Sequence, residues 1–135
     1  MRLTENNLYD ILKNPNNPII LGKKLDFAAY GIQIKFDDAV LQMLSQQAAA
    51  ENTGARGLVS AVEQALLPFE KRLPSTNIQR FPVTAAVIQT PEAVLAQWLA
   101  SPRDPQRSAA FERIAQAETQ YVRDYIRTNS RTLTD

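Results

Sequence analysis

Apolar residues recur at helical spacing through most of this chain, and only once do they alternate cleanly with polar ones. Leu8, Ile11 and Leu12 share one stripe, with Thr4 placed to cap their helix. Asn14-Pro15-Asn16-Asn17-Pro18 stops that helix, and Pro18 suits the first turn of the next. The second helix would turn Leu21, Leu25 and Ala28 or Ala29 inward and stop at Gly31. Ile32, Ile34 and Phe36 then alternate with Gln33 and Lys35, the signature of a short half-buried strand. Asp37 or Asp38 caps a third helix, with Val40, Leu41, Leu44 and Ala48 inward, and Glu51-Asn52-Thr53-Gly54 breaks it.

A fourth helix carries Leu58, Val59, Val62, Leu66 and Phe69 on its buried side. Pro68 removes a backbone donor within that pattern and predicts a kink near Leu66. Leu73-Pro74-Ser75 ends the element, and Phe81-Pro82-Val83 reads as a second strand that Pro82 confines to an edge. Thr84 predicts one capped turn through Ile88. Thr90-Pro91-Glu92 and Asp104-Pro105 repeat a cap-proline start for two further helices, separated by a linker at Ser101 to Pro105. The last helix should run to about Arg127, with Phe111, Ile114, Tyr121 and Tyr125 on one face, and fray over Asn129 to Asp135.

Composition narrows the chemistry. The 135 residues contain no Cys and no His, which removes disulfides, thiolate nucleophiles, the commonest metal ligand and the usual general base. Fifteen Lys+Arg against 14 Asp+Glu leave a net charge of +1, with no general pull toward nucleic acid or an anionic membrane. No apolar run approaches the ~20 residues of a bilayer span, and Met1-Arg2-Leu3-Thr4 does not open a signal peptide. The default address is the cytoplasm. The basic residues change character near Thr90: all five lysines precede it, and all six later cations are arginines, matched by six acids. This shift predicts a compact unit over residues 1–90 and a helical extension over 91–135.

Three places could carry chemistry. Gly54-Ala55-Arg56-Gly57 sets an arginine between glycines at the mouth of a helix. Free first-turn N–H groups, the positive dipole end and a planar guanidinium suit an anion there, and a plain tight turn with an exposed arginine is the other reading. The final helix could present its aromatic stripe and Arg107, Arg113, Arg123, Arg127 and Arg131 to a partner. Alternatively, its stripe packs on the rest of the chain and its arginines are solvated or paired with Glu112, Glu118 and Asp124; the equal number of acids argues against a nucleic-acid face. Asp37-Asp38 reads as a cap rather than a catalytic dyad.

Thr53-Gly54-Ala55-Arg56-Gly57-Leu58, followed by Val62 to Leu67 and Leu73-Pro74-Ser75, resembles the C-terminal small domain of the ClpX-type AAA+ unfoldases. Leu3-Thr4-Glu5 with Leu8, Ile11 and Leu12, the Asn14-Pro15 turn, and Gly31 to Phe36 before Asp37-Asp38-Ala39 agree in order and spacing over residues 1 to about 90. The core motif also occurs in related Clp and Lon-type ATPases. The resemblance implies an α+β, mostly helical lid with a two- or three-stranded sheet. It also implies that Arg56 is the second sensor, facing ATP phosphates, with Gly54, Ala55 and Gly57 shaping its turn. ATP would be met only together with a large AAA+ domain in cis, next to a neighbouring subunit of a hexamer and, in some assemblies, a peptidase. The chain has no Gly-x-x-x-x-Gly-Lys-Ser/Thr loop and no apolar strand ending in Asp-Glu. Neither hydrolysis nor metal binding is therefore expected of the chain alone. It would be a piece of a longer ATPase, which its opening on the entry helix favours, or a free-standing non-motor module that uses residues 91–135 for assembly.

Overall fold

The computed structural model describes residues 3–134, and the side chains of residues 3–130. Seven α-helices, one 3-10 turn and two strands follow one another among the described residues. Helix α1 (Glu5–Lys13) opens with a capping box in which Thr4 and Asn7 satisfy each other's backbone N–H groups. Helix α2 (Pro18–Ala28) is capped by Asn17, whose side chain accepts from the Ile19 N–H at 2.9 Å. Gly31, at φ 74°, makes the left-handed turn into β1 (Gln33–Phe36).

Helices α3 (Asp38–Glu51) and α4 (Gly54–Arg72) then form an antiparallel-type hairpin joined by only two residues. After a 3-10 turn (Leu73–Ser75), β2 (Arg80–Val83) returns beside β1. The two strands are parallel, with Gln33 opposite Arg80 and Phe36 opposite Val83. Parallel pairing demands a crossover, and α3 and α4 supply it. In a sheet of two strands each strand has a free edge, so Pro82 is tolerated where a central strand would exclude it. The chain ends with α5 (Ala85–Gln89), α6 (Pro91–Ala100) and α7 (Pro105–Thr134).

The core is built around stacked aromatic rings. Phe81 of β2 meets Phe69 of α4 at 4.8 Å, Phe27 of α2 at 5.4 Å and Trp98 of α6 at 5.6 Å between centroids. Leu8, Leu44, Leu58 and Leu66 fill the space around them. Trp98 therefore shares a core with residues from the first half of the chain. Farther on, Phe111 and Ile114 seat α7 against the outside of the sheet.

Several expectations need correction. On α2 the buried residues are Lys23 and Phe27, while Leu21 is 40% and Leu25 73% exposed. The helix is turned because Phe27, the largest apolar side chain in it, takes the core position, and the Lys23 ammonium finds acids there. Val59 is exposed rather than buried. Asp37, Thr84 and Thr90 hold cap positions but make no side-chain cap bond. Helix α7 continues past Arg127 to Thr134; the placement of Asp135 and the side chain of Arg131 lie outside the described residues.

Candidate functional site at the head of helix α4

The α3–α4 hairpin is tight because two adjacent bends are left-handed. Asn52 ends α3 at φ 57°, and its N–H reaches back to the carbonyls of Ala48 and Ala49. Thr53 follows in a right-handed conformation, and Gly54 is left-handed again at φ 63°. Asparagine and glycine are the two residues that tolerate this region most easily. Gly57 answers a different demand. A Cβ there would overlap the Thr53 hydroxyl and lie 2.7 Å from its Cβ, so the turn packs directly on the bare helix backbone.

This geometry leaves donors unused. The Thr53 side chain makes no cap bond to α4, and the helix supplies its first backbone bond only at Gly57, whose N–H donates to the Thr53 carbonyl at 3.3 Å. The amides of Gly54, Ala55 and Arg56 meet no protein acceptor among the described residues. Arg56 is exposed, and its guanidinium has no hydrogen bond or ion pair among the described residues. Opposite it on the same helix, Leu58, Ala61 and Val62 are buried, so the arginine stands on the outward stripe of a well-anchored element.

Most other cations are spent on structure. The buried Lys23 ammonium sits 2.8 Å from Glu70 and 2.9 Å from Glu63. Burial alone would lower its pKa, but the two carboxylates outweigh that and raise it. Glu118 of α7 accepts from Lys24 at 3.1 Å and Lys35 at 3.0 Å. Its carboxyl is held below the ordinary range because those ammonium groups more than offset the opposing effect of burial. Arg113 bonds Asp37 at 2.9 Å, and Arg80 bonds Glu112 at 2.8 Å. Arg107 lies over the Trp98 ring and donates to the Pro102 carbonyl at 2.6 Å, tying down the α6–α7 turn.

Asp37 and Asp38 accordingly serve separate partners. Asp38 accepts from the Tyr9 hydroxyl at 2.5 Å and pairs with Lys13 at 2.9 Å. No sequence signal foretold these connections. Glu112 and Glu118 could have paired with neighbouring arginines, yet both reach the body, with Lys24 lying 94 positions from Glu118. Among the described residues, only Asp124 takes an arginine from its own helix, Arg127, at 3.8 Å.

A cavity of about 140 Å³ lies beneath α7, lined by Leu12, Phe36, Asp38, Glu118 and Tyr121 among others. Its lining does not include Arg56, which is exposed. Among the described residues no group of three or more acids is placed to hold a metal ion, and no helix is long and apolar enough to cross a membrane.

The unit is a mostly helical α+β domain with a short parallel sheet. The family model for the C-terminal, D2-small domain of ClpB protein matches residues 3–74, and the chain belongs to this family of Clp-type small domains. It is 38% identical over 73 residues to the ATP-dependent Clp protease ATP-binding subunit ClpX of Treponema denticola, covering 54% of this chain and 18% of that protein. It is 30% identical over 88 residues to the mitochondrial ATP-dependent clpX-like chaperone of Saccharomyces cerevisiae, covering 65% of this chain and 17% of the relative. The ClpX subunit of Bacteroides thetaiotaomicron is 34% identical over 82 residues, 61% of this chain and 20% of its own length. The matched region thus spans a fifth or less of these curated relatives.

Proposed function

We propose that this chain is the nucleotide-sensing lid of a ClpX-like AAA+ protein unfoldase, with Arg56 as its sensor. The observation that carries the reading is the coincidence at one helix head of an exposed guanidinium and three amides that have no partner among the described residues. These groups fit an anion: the guanidinium offers a planar fork of donors, the amides add the positive end of the helix dipole, and Gly54 presents no side chain to obstruct approach. ATP, when bound by a large AAA+ domain in cis, supplies the phosphate oxygens. Arg56 is exposed, and the opposite wall of the site would belong to that large domain.

Helix α4 then links sensing to movement. It runs for 19 residues and buries Leu58, Val62, Leu66 and Phe69 in the common core. A pull on Arg56 therefore acts on the packed body as a unit, because close-packed interiors shift as blocks rather than deform continuously. A guanidinium that contacts more anionic oxygens in one nucleotide state than another biases the angle between lid and large domain. Around a hexameric ring, with a neighbouring subunit beside each lid, such rotations would thread substrate toward a peptidase partner. The ordinary charged composition suits a cytoplasmic address.

The test is a titration of a non-hydrolysable ATP analogue into the chain alone, and into the chain joined to a large AAA+ domain. The chain alone should neither bind tightly nor hydrolyse ATP. In the joined protein, Arg56→Ala should cut ATP turnover and the unfolding it drives while the lid stays folded, with Arg56→Lys recovering only part. Unchanged turnover and unfolding rates in Arg56→Ala would overturn the sensor assignment.

A further inference from the structure

The cavity beneath α7 takes no part in the sensor reading. Its volume is about 140 Å³. Leu12 of α1, Phe36 of β1 and Leu41 of α3 line it from the body, and all three are buried. Ile114 and Val122 line it from α7. Leu21, 40% exposed, also belongs to the lining, so the cavity reaches solvent. The family model matches residues 3–74, which leaves the α7 wall outside the matched region.

Five charged side chains share the lining: Lys13, Lys24, Asp37, Asp38 and Glu118. Each already has an opposite charge. Lys13 pairs with Asp38 at 2.9 Å, Lys24 with Glu118 at 3.1 Å, and Arg113 with Asp37 at 2.9 Å. A charged ligand would have to break one of these pairs or sit among them without a partner, and either course is costly. An uncharged ligand disturbs none of them. Size sets the second condition, because an apolar cavity of about 150 Å³ holds one benzene-sized molecule. The cations set the third. An ammonium attracts the face of an aromatic ring more than a saturated one. Lys13 already makes such a contact with Tyr121 of the same lining, 4.4 Å from the ring centre.

We propose that this cavity binds a small uncharged molecule with a single aromatic ring, and that the occupant fastens α7 to the body. One wall belongs to α7 and the other to α1, β1 and α3, so the site is complete only while α7 is seated. Ligand and seated helix therefore stabilise each other by linkage. The site goes beyond the sensor reading and does not use Arg56.

Benzyl alcohol is the probe, titrated into the full chain and followed by amide NMR. The amides of Leu12, Leu41, Ile114 and Val122 should shift together and saturate in the millimolar range. Benzoate and benzylamine, which add a charge to the same ring, should bind at least about tenfold more weakly. Cyclohexylmethanol should bind about two- to fivefold more weakly. Leu21→Phe and Val122→Phe each add bulk to the lining from a different helix, and each should weaken binding more than about tenfold. Neither position is fully buried, so both variants should fold, as circular dichroism would verify. With the alcohol at about ten times its dissociation constant, amides of residues 114–122 that exchange by lifting of α7 should exchange about tenfold more slowly. Shifts that never saturate, charged or saturated analogues that bind equally well, both filled variants binding as the unaltered chain does, or unchanged exchange in α7 would each overturn the proposal. Arg56→Ala should bind benzyl alcohol like the unaltered chain, which keeps this result separate from the sensor test.

Discussion

The head of α4 and the anchored half of α7 treat their charges in opposite ways. On α7, Glu112, Arg113 and Glu118 each find a partner on another element, and Phe111 and Ile114 are buried between them. At the head of α4, Arg56 and the amides around it are left without one among the described residues. Exposure by itself does not mark a site. The side chains of Lys71, Arg72, Arg103 and Arg123 also lack partners among the described residues. What separates Arg56 from them is the frame: two left-handed bends, a bare helix backbone under Thr53, and first-turn amides without acceptors among the described residues. One region uses charge to hold α7 to the body; the other keeps charge available.

Mutations can break that contrast at different levels. The largest effect should come from the core that both regions share. Phe81→Ala removes a ring in contact with Phe27, Phe69 and Trp98 and should cost about 3–5 kcal/mol in urea unfolding. A loss near 1 kcal/mol would mean that α6 is not part of the same cooperative unit.

Next comes the frame. Gly57→Ala drives a methyl group into Thr53 and should cost about 1–3 kcal/mol. Gly54→Ala meets no crowding but forces a side chain onto φ 63°, at a cost of about 1–2 kcal/mol. Thr53→Ser combined with Gly57→Ala should recover little, because the overlap includes the Thr53 Cβ that serine keeps. Full recovery would show that the γ-methyl or hydroxyl position alone was responsible.

Smaller again is the strap. Glu118→Gln should cost about 1–2 kcal/mol at neutral pH. The sign of its pH dependence follows from the direction of the shift. Glu118 and Asp38 are both held below their ordinary values: burial opposes this, but bonds from Lys35 and Lys24, and from Tyr9 and Lys13, prevail. The stabilisation is complete above the unfolded carboxyl pKa of about 4 and is lost as pH falls through the lower folded values. Acid unfolding curves of Glu118→Gln should therefore be shallower than those of the unaltered chain. Equal slopes would remove Glu118 from the account.

The smallest change in stability belongs to Arg56→Ala, within about 0.5 kcal/mol of the unaltered chain. A substitution that leaves melting untouched while disabling the joined ATPase would be the sharpest expression of the contrast. Destabilisation by 2 kcal/mol or more would place Arg56 among the structural cations instead.

Much of this architecture can be read along the chain because its signals are local. A proline pair after Lys13, three alternating apolar residues before Asp37, and glycine at positions 31 and 54 each act over a few residues, and each appears where expected. The candidate arginine was legible for the same reason, since its setting is four consecutive residues. Helix α2 was misread because periodicity alone cannot rank Leu21 and Leu25 against Phe27. That choice depends on which side chain fills the space beside Phe81.

The order of helices, the two strands and the bend that exposes Arg56 were thus settled by backbone chemistry acting between near neighbours. Tertiary structure alone decided that Lys23 would be buried among acids, that Trp98 would join the aromatic core, and that Glu118 would clasp two lysines more than 80 positions away. Those outcomes depend on distant surfaces competing for the same space and the same ions, and no local pattern encodes which surface wins.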